Sequence, residues 1–166
     1  MRTEQPKVIH LKDYQAPEYL IDETHLTFEL HEDRTLVHAQ LVMRRNPAQA
    51  AGALPPLELH GQDLELLSLA LDDRELGLGD YQVSADSLTL QPQAEQFVID
   101  STVVIHPESN TALEGLYKSG KMFCTQCEAE GFRKITYYLD RPDVMSRFTT
   151  TVSAEKQRYP ILLSNG

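Results

Sequence analysis

The sequence predicts an all-β fold, a sandwich or saddle-like stack of mostly antiparallel sheets with little helix. Three observations carry this expectation. Apolar residues alternate with polar ones over short runs, the period of a half-buried strand. Turn signals built from Gly, Pro, Asn and Asp recur about every eight to twelve residues. Nowhere do strand patterns alternate with helical ones, as a parallel βαβ arrangement would require.

The elements follow in chain order. Residues 1–20 contain Pro6 and Pro17 and little periodicity, which makes them an extended lead-in with occasional apolar contacts through Tyr14, Tyr19 and Leu20. Leu26, Phe28 and Leu30 then alternate with Thr27 and Glu29, the group His31-Glu32-Asp33-Arg34 reads as a turn, and Val37, Ala39, Leu41 and Met43 continue the alternation. This is a hairpin with one buried face. Residues 46–56, NPAQAAGALPP, form a loop. Residues 57–73 supply two more strands, with Leu67, Leu69 and Leu71 on one side and Asp72-Asp73 as the stop. Short strands are expected at residues 81–83 and 87–90. Residues 97–106 are the most β-branched stretch, with Phe97, Ile99, Val103 and Ile105 on one parity and Val98 and Val104 on the other, so both faces meet apolar neighbours and the strand is central. Val144-Met145-Ser146-Arg147 is compatible with one helical turn, and residues 148–154 and 161–164 with two further strands. The dipeptide Asn165-Gly166 is favoured between paired strands, yet no partner strand comes after it. The expectation is a single β domain over residues 1–166, cut from a longer chain.

The 166 residues are enough to bury a core, and 15 basic against 25 acidic side chains leave a net charge of −10. That balance argues against nucleic acid as a partner, because phosphate would be repelled. It suits a solvated surface first and a cationic ligand second. No apolar run is long enough to span a bilayer, so no membrane partner is expected, and the opening MRTEQPKVIH lacks a basic-then-apolar leader, so the expected location is cytoplasmic. Two cysteines make no disulfide scaffold at this length and are expected as reduced thiols.

Residues 109–147 concentrate the chemically capable side chains. If residues 122–128 are extended, Met122, Cys124, Gln126 and Glu128 share one face, and Phe123, Thr125 and Cys127 the other. A carboxylate beside an amide oxygen satisfies the donors of a primary ammonium, so a free amino terminus is the ligand this pair would take. On residue types alone, two polar side chains on a solvated strand face remain the simpler account. Cys124-Thr125-Gln126-Cys127 has the C-x-x-C form of a zinc half-site or redox pair, but no second pair or close His pair completes four ligands, and no helix-opening context is present. Structural thiols are expected. His31-Glu32-Asp33-Arg34-Thr35 begins like a zinc-protease signature and ends in Thr where the second His is required. No serine elbow, P-loop or dinucleotide fingerprint occurs. Gly115 and Gly120 are expected to serve turns. Glu130, Arg133, Asp140 and Arg141 are expected to form an ion-pair cluster that holds the Gln126/Glu128 face in place, and Tyr117, Tyr137 and Tyr138 to be core or interface aromatics.

The order Gln126-x-Glu128-Ala129, then Arg133, then Asp140-x-Pro142, is similar to the motif Q-x-E-A, R, D-x-P that ends the amino-terminal domain of aminopeptidase N-type zinc metallopeptidases. The runs NTALEGLY, CTQCEAEGFR, ITYYLDRPDV and RFTT resemble the bacterial aminopeptidase N branch, with weaker similarity from about Tyr14 to the LLSNG at the end. Lys134 stands where a second Arg often follows, and Thr136-Tyr137-Tyr138-Leu139 replaces a more hydrophobic run. Neither departure touches Gln126 or Glu128. The resemblance implies a full-length zinc aminopeptidase that removes amino-terminal residues from peptides, with residues 1–166 as its excised amino-terminal domain and the catalytic domain of the same chain as a partner. It places the zinc-binding His-Glu-x-x-His, a more distant Glu, and the Gly-x-Met-Glu-Asn motif in the domain that follows. None of these occurs here, so no catalytic or metal-binding residue is expected in these 166 residues. Gln126 and Glu128 are implied to line the first substrate pocket, Glu128 pairing the substrate's α-ammonium, with Ala129, Arg133 and Asp140 as support. A freestanding β domain for binding or interaction is the rival reading.

Overall fold

The computed structural model describes residues 10–49 and 52–164. Strand accounts for 47% of the chain and helix for 6%, with no helix of seven or more residues, so the all-β expectation holds. The expectations for residues 1–9 and for Asn165-Gly166 lie outside the described residues.

The first hairpin forms as the alternation requires. β1 (Tyr19–Leu30) and β2 (Thr35–Arg45) pair antiparallel across the turn at residues 31–34. Every second residue is buried on one face, from Leu26 and Phe28 in β1 to Val37, Ala39, Leu41 and Met43 in β2. Removing these side chains from water is the main favourable term holding the sheet. Tyr19, expected as an occasional contact of the lead-in, instead opens β1 and is 2% exposed. In the lead-in itself Leu11–Asp13 make a 3-10 turn.

The remaining strands are β3 (Leu57–His60), β4 (Glu65–Leu71), β5 (Arg74–Glu75), β6 (Tyr81–Val83), β7 (Ser87–Leu90), β8 (Gln96–Ile105), β9 (Gly115–Ser119), β10 (Met122–Gln126) and β11 (Arg147–Ala154). Among the described residues they make a six-stranded sheet in the order β11-β1-β2-β8-β4-β5, a three-stranded sheet β3-β7-β6 and the ribbon β10-β9. β8 lies between β2 and β4 with Phe97, Ile99, Val103, Val104 and Ile105 buried, which is the central place its β-branched residues predicted. One continuous apolar cluster joins β1, β2 and β8 to Leu57, Leu59, Leu88 and Leu90 of the small sheet and to Leu116, Ile135, Tyr137 and Tyr138.

Four local expectations are corrected. Leu67 does not share a face with Leu69 and Leu71: the pairing of β4 with β8 shifts register between Leu66 and Ser68, and this bulge leaves Leu67 52% exposed. The loop of residues 46–56 contains a 3-10 turn at Pro47–Gln49, and the buried Arg45 donates to the carbonyls of Gln49, Gly52 and Ala53. Residues 161–164 form no strand, since no neighbouring strand pairs with them among the described residues. The helical turn expected at residues 144–147 is absent; a turn closes there through Val144 N–H donating to Arg141 O, and the 3-10 turn falls instead at Phe132–Lys134.

β11 pairs with β1 in parallel, Glu23 opposite Arg147 through Leu30 opposite Ala154, in a sheet that is otherwise antiparallel. The residues between β8 and β11 must therefore cross from the middle of the sheet to its edge. That crossing carries the chemically dense segment.

Candidate functional site

The segment begins with the β9–β10 hairpin, whose turn uses Gly120 at φ 60. Gly115 sits at φ 71, and a Cβ there would come within 2.7 Å of the Lys134 Cβ. Glycine is needed on both counts, as backbone conformation and as space. The two glycines thus serve the turns expected of them.

β10 ends at Gln126, which pairs with Gly115. The expected run of extended residues to 128 stops there, so strand alternation does not place Glu128 beside Gln126. Residues 128–130 form a turn instead, and the Glu128–Ala129 peptide bond is cis. The turn closes by Gly131 N–H donating to Cys127 O at 3.2 Å. A Cβ on Gly131 would lie 2.9 Å from Gln126 O and 3.0 Å from Cys127 Cα, so the loop folds back on the strand end with no room for a side chain. Sequence reasoning passed over Gly131; its position three residues after Glu128 in an otherwise polar run was the available signal.

Arg133 fixes this loop from behind. Its Nε donates to Asp140 Oδ2 at 2.7 Å, its backbone N–H to the same oxygen at 3.2 Å, and its Nη2 to Asp140 O and to Glu130 Oε2, each at 3.1 Å. The pair is shielded, with Arg133 17% and Asp140 8% exposed in their side chains. The planar guanidinium suits this arrangement, because one fork reaches two carboxylates and a carbonyl at once. Of the expected cluster, Glu130, Arg133 and Asp140 come together and Arg141 does not. Arg141 pairs with Asp143 at 2.7 Å and donates to Gln15 O.

A histidine that the sequence did not single out completes the support. His60 at the end of β3 bridges Tyr138 through two backbone hydrogen bonds, and its Nδ1 accepts from Asp140 N–H at 3.2 Å. Accepting at Nδ1 requires the neutral ring with its proton on Nε2. Burial, reinforced by the Arg133 charge, holds its pKa below the ordinary histidine value. Gly61 next to it lies under the Tyr137 ring, where a Cβ would sit 2.3 Å from ring carbons. Tyr137 and Tyr138 are core aromatics, as expected, at 3% and 5% exposure.

The hairpin is also tied to the β1–β2 turn. Glu32 accepts from Lys118 Nζ at 3.0 Å, Arg158 Nη1 at 3.0 Å and Tyr159 OH at 2.8 Å, while Lys118 lies 5.1 Å above the Phe123 ring. The hydrogen bond from Lys118, then those from Tyr159 and Arg158, lower the Glu32 pKa to about 2.

The consequence for charge is specific. In residues 127–143, Glu130 and Asp140 share the Arg133 guanidinium and Asp143 pairs with Arg141, whereas Glu128 is exposed and makes no ion pair or hydrogen bond among the described residues. The exposed Gln126 side chain is likewise unpaired there. Ala129 is exposed in the turn between the free carboxylate of Glu128 and the ion-paired one of Glu130. Cys124 and Cys127 are free thiols, and burial, with the nearby Asp140 charge, pushes Cys127 up to about 11, so it stays protonated at neutral pH. Among the described residues no three His, Cys, Asp or Glu side chains are placed to hold a metal ion, and zinc has no fitting site here.

Comparison with known proteins agrees with this architecture. The chain is 48% identical over 166 residues to aminopeptidase N of Caulobacter vibrioides and 46% identical over 164 residues to that of Escherichia coli, and it spans 19% and 18% of their lengths. Among solved structures, aminopeptidase A of Legionella pneumophila in complex with aspartic acid superposes with a TM-score of 0.87 at 32% identity, over 94% of this chain and 18% of that one. An M1 zinc metallopeptidase of Deinococcus radiodurans superposes at 0.67 with 13% identity, over 82% of this chain and 32% of that one, a likeness of fold alone. Residues 81–166 match the family described as the peptidase M1 N-terminal domain, and the chain belongs to that family.

Proposed function

We propose that the whole protein is a zinc-dependent aminopeptidase releasing amino-terminal residues from peptides, and that this domain supplies Gln126 and Glu128 to bind the substrate's free α-ammonium. The observation that carries the reading is the free carboxylate of Glu128. It is presented by a turn whose other acidic groups are already ion-paired, on a loop held by Gly131, Arg133 and Asp140. An enzyme that removes one residue must measure a fixed distance from the amino terminus to the scissile carbonyl, and an anionic anchor on a rigid loop sets that distance. Gln126, at the fixed end of β10, adds an amide oxygen as a second acceptor. Arg133, Asp140 and the Glu128–Ala129 turn hold this pair without touching substrate.

The metal of such an enzyme supplies the activated water, and nothing in the described residues fits it. The 166 residues alone are therefore proposed to be inactive and zinc-free, with the catalytic domain as their partner within the same chain. The two free thiols suit a reducing compartment, and we place the protein in the cytoplasm. No described helix is long and apolar enough to cross a membrane.

The test is Glu128→Gln in the complete protein. Losing one charge-assisted hydrogen bond should lower kcat/KM on an unblocked dipeptide amide by about 10- to 100-fold. Zinc content should not change. An unaltered kcat/KM rules out the anchor.

A further inference from the structure

The Glu128 turn is held at one remove by a side chain that titrates near neutral pH. His60 ends β3, and its backbone is tied down on both sides. It exchanges hydrogen bonds of 2.8 and 3.0 Å with Tyr138, Gly61 N–H donates to Asp86 O, and Gln62 N–H donates to Arg133 O. From this fixed main chain the half-buried ring reaches Asp140, whose N–H donates to His60 Nδ1 at 3.2 Å. Asp140 is therefore held twice. His60 takes its amide, while Arg133 takes its carboxylate and carbonyl and also reaches Glu130, two residues from Glu128. The path from ring to anchor runs through His60, Asp140, Arg133 and Glu130, and no bond in it is longer than 3.2 Å.

An imidazole is a conditional acceptor, because protonation takes its lone pair and makes both ring nitrogens donors. A protonated His60 would set donor against donor at the Asp140 N–H and bring a second positive charge beside the Arg133 guanidinium. The charges around the ring are Arg133 from the 3-10 turn, Asp140 after it, Glu58 on β3 itself and Glu130 of the anchor turn. Asp140 and Glu130 are already taken up by Arg133. Asp86, from the β6–β7 turn, has its carboxylate accepting from Gln62 Nε2 at 2.8 Å. Burial, then the Arg133 charge, prevail over the three carboxylates and keep the ring's pKa below its ordinary 6.5, so the bond to Asp140 stands at neutral pH. Since the folded value lies below the unfolded one, the hold is complete above 6.5 and is lost as pH falls through the folded value.

We propose that neutral His60 is a positioning residue for the α-ammonium anchor: its Nδ1 keeps Asp140 where Arg133 clamps the Glu128 turn, and protonation of the ring loosens the clamp and weakens peptide binding in acid. This rests on the reading of Glu128 as the anchor and adds control of that anchor by pH.

The experiment uses the complete protein as wild type, His60→Asn and His60→Leu. Two quantities are followed from about pH 7.5 down to the lowest pH at which circular dichroism shows the native fold. One is exchange at the Asp140 amide relative to the unfolded-chain rate, and the other is KM for an unblocked dipeptide amide. Asparagine offers Oδ1 as an acceptor that does not titrate, so comparison with it removes the titration of every other group, Glu128 included. On acidification of the wild type, protection of the amide should fall and KM should rise by about five- to tenfold, with kcat changed far less. His60→Leu should show the raised KM already at neutral pH, and His60→Asn should rescue it and remove the excess rise seen in the wild type. Protection that does not fall in the wild type, or falls equally in His60→Asn, overturns the proposal. So does a His60→Leu protein that loses melting temperature or kcat with no change in KM. Protection that falls in the wild type alone while KM stays level refutes the anchor reading instead, and leaves the hold of His60 on Asp140 standing.

Discussion

Replacing Arg133 by methionine isolates what holds the Glu128 turn in place. The substitution keeps much of the apolar stem and removes the guanidinium, and with it the bonds of 2.7 Å to the Asp140 carboxylate, 3.1 Å to Asp140 O and 3.1 Å to Glu130. Asp140 is then left 8% exposed with its charge unpaired. Breaking a buried pair from one side costs roughly 3–5 kcal/mol. Asp140 retains the Arg133 backbone N–H at 3.2 Å, so the low end applies, about 3 kcal/mol. For a chain of this size that corresponds to a melting temperature lower by about 6–12 °C. Urea denaturation should show the midpoint falling with the slope unchanged. Arg133→Lys should recover only part of the loss, because an ammonium cannot reach both acids and the carbonyl as a fork does. Arg141→Met is the control: its pair with Asp143 is 31% and 28% exposed and should be worth under about 1 kcal/mol. A loss below about 1 kcal/mol for Arg133→Met, or equal losses at the two arginines, refutes the reasoning.

Further expectations follow from the same geometry. Gly115→Ala should destabilise by more than Gly120→Ala: both glycines lie at positive φ, which costs roughly 1–2 kcal/mol for alanine, but only at Gly115 does the added Cβ meet backbone and the Lys134 Cβ. Equal losses in urea would show that the loop yields. The depressed pKa of Glu32 ties its network to pH. Its folded value near 2 lies below its ordinary 4.5, so its stabilising contribution is complete above about pH 5 and is lost as pH falls toward 2. The melting-temperature gap between wild type and Glu32→Gln should therefore be constant from pH 5 to 7 and close on acidification; a gap that persists at pH 2 contradicts the assignment. Cys127, half-buried and held protonated, should be alkylated by iodoacetamide at pH 8 at least tenfold more slowly in the folded chain than in urea, followed by peptide mass mapping.

What could be read from the sequence was the part that depends on local periodicity. β1, β2 and β8 were legible because every second side chain of each is buried; the second face of β8 is less covered than its β-branched run suggested, with Val104 buried but Val98, Asp100 and Thr102 only half-buried. Leu67 misled because one inserted residue at the β4 bulge reverses parity without altering composition. The site was legible as a set of residues and not as a shape. Gln126, Glu128, Arg133 and Asp140 were picked out, but the end of β10 at Gln126 is imposed by Gly131 packing on the strand terminus, a contact no periodicity encodes. His60 reaches Asp140 across 80 residues, and β11 reaches β1 in parallel across more than a hundred, and neither leaves a local mark. Arg141 resembles Arg133 in sequence, and only the position of Asp143 separates their roles.

The parallel pairing of β11 with β1 also bears on the order in which the molecule is made. Glu23 lies opposite Arg147, so β1 keeps one edge unpaired until residues 147–154 have been synthesised. The β1–β2 and β9–β10 hairpins close over a few residues and can form early, while the β1–β11 seam must close a loop of more than a hundred. Among the described strands, the β1–β11 pairing is then the one that closes the longest stretch of chain. Until that step the edge of β1 stands unpaired in the nascent chain, open to misassociation before residue 147 appears.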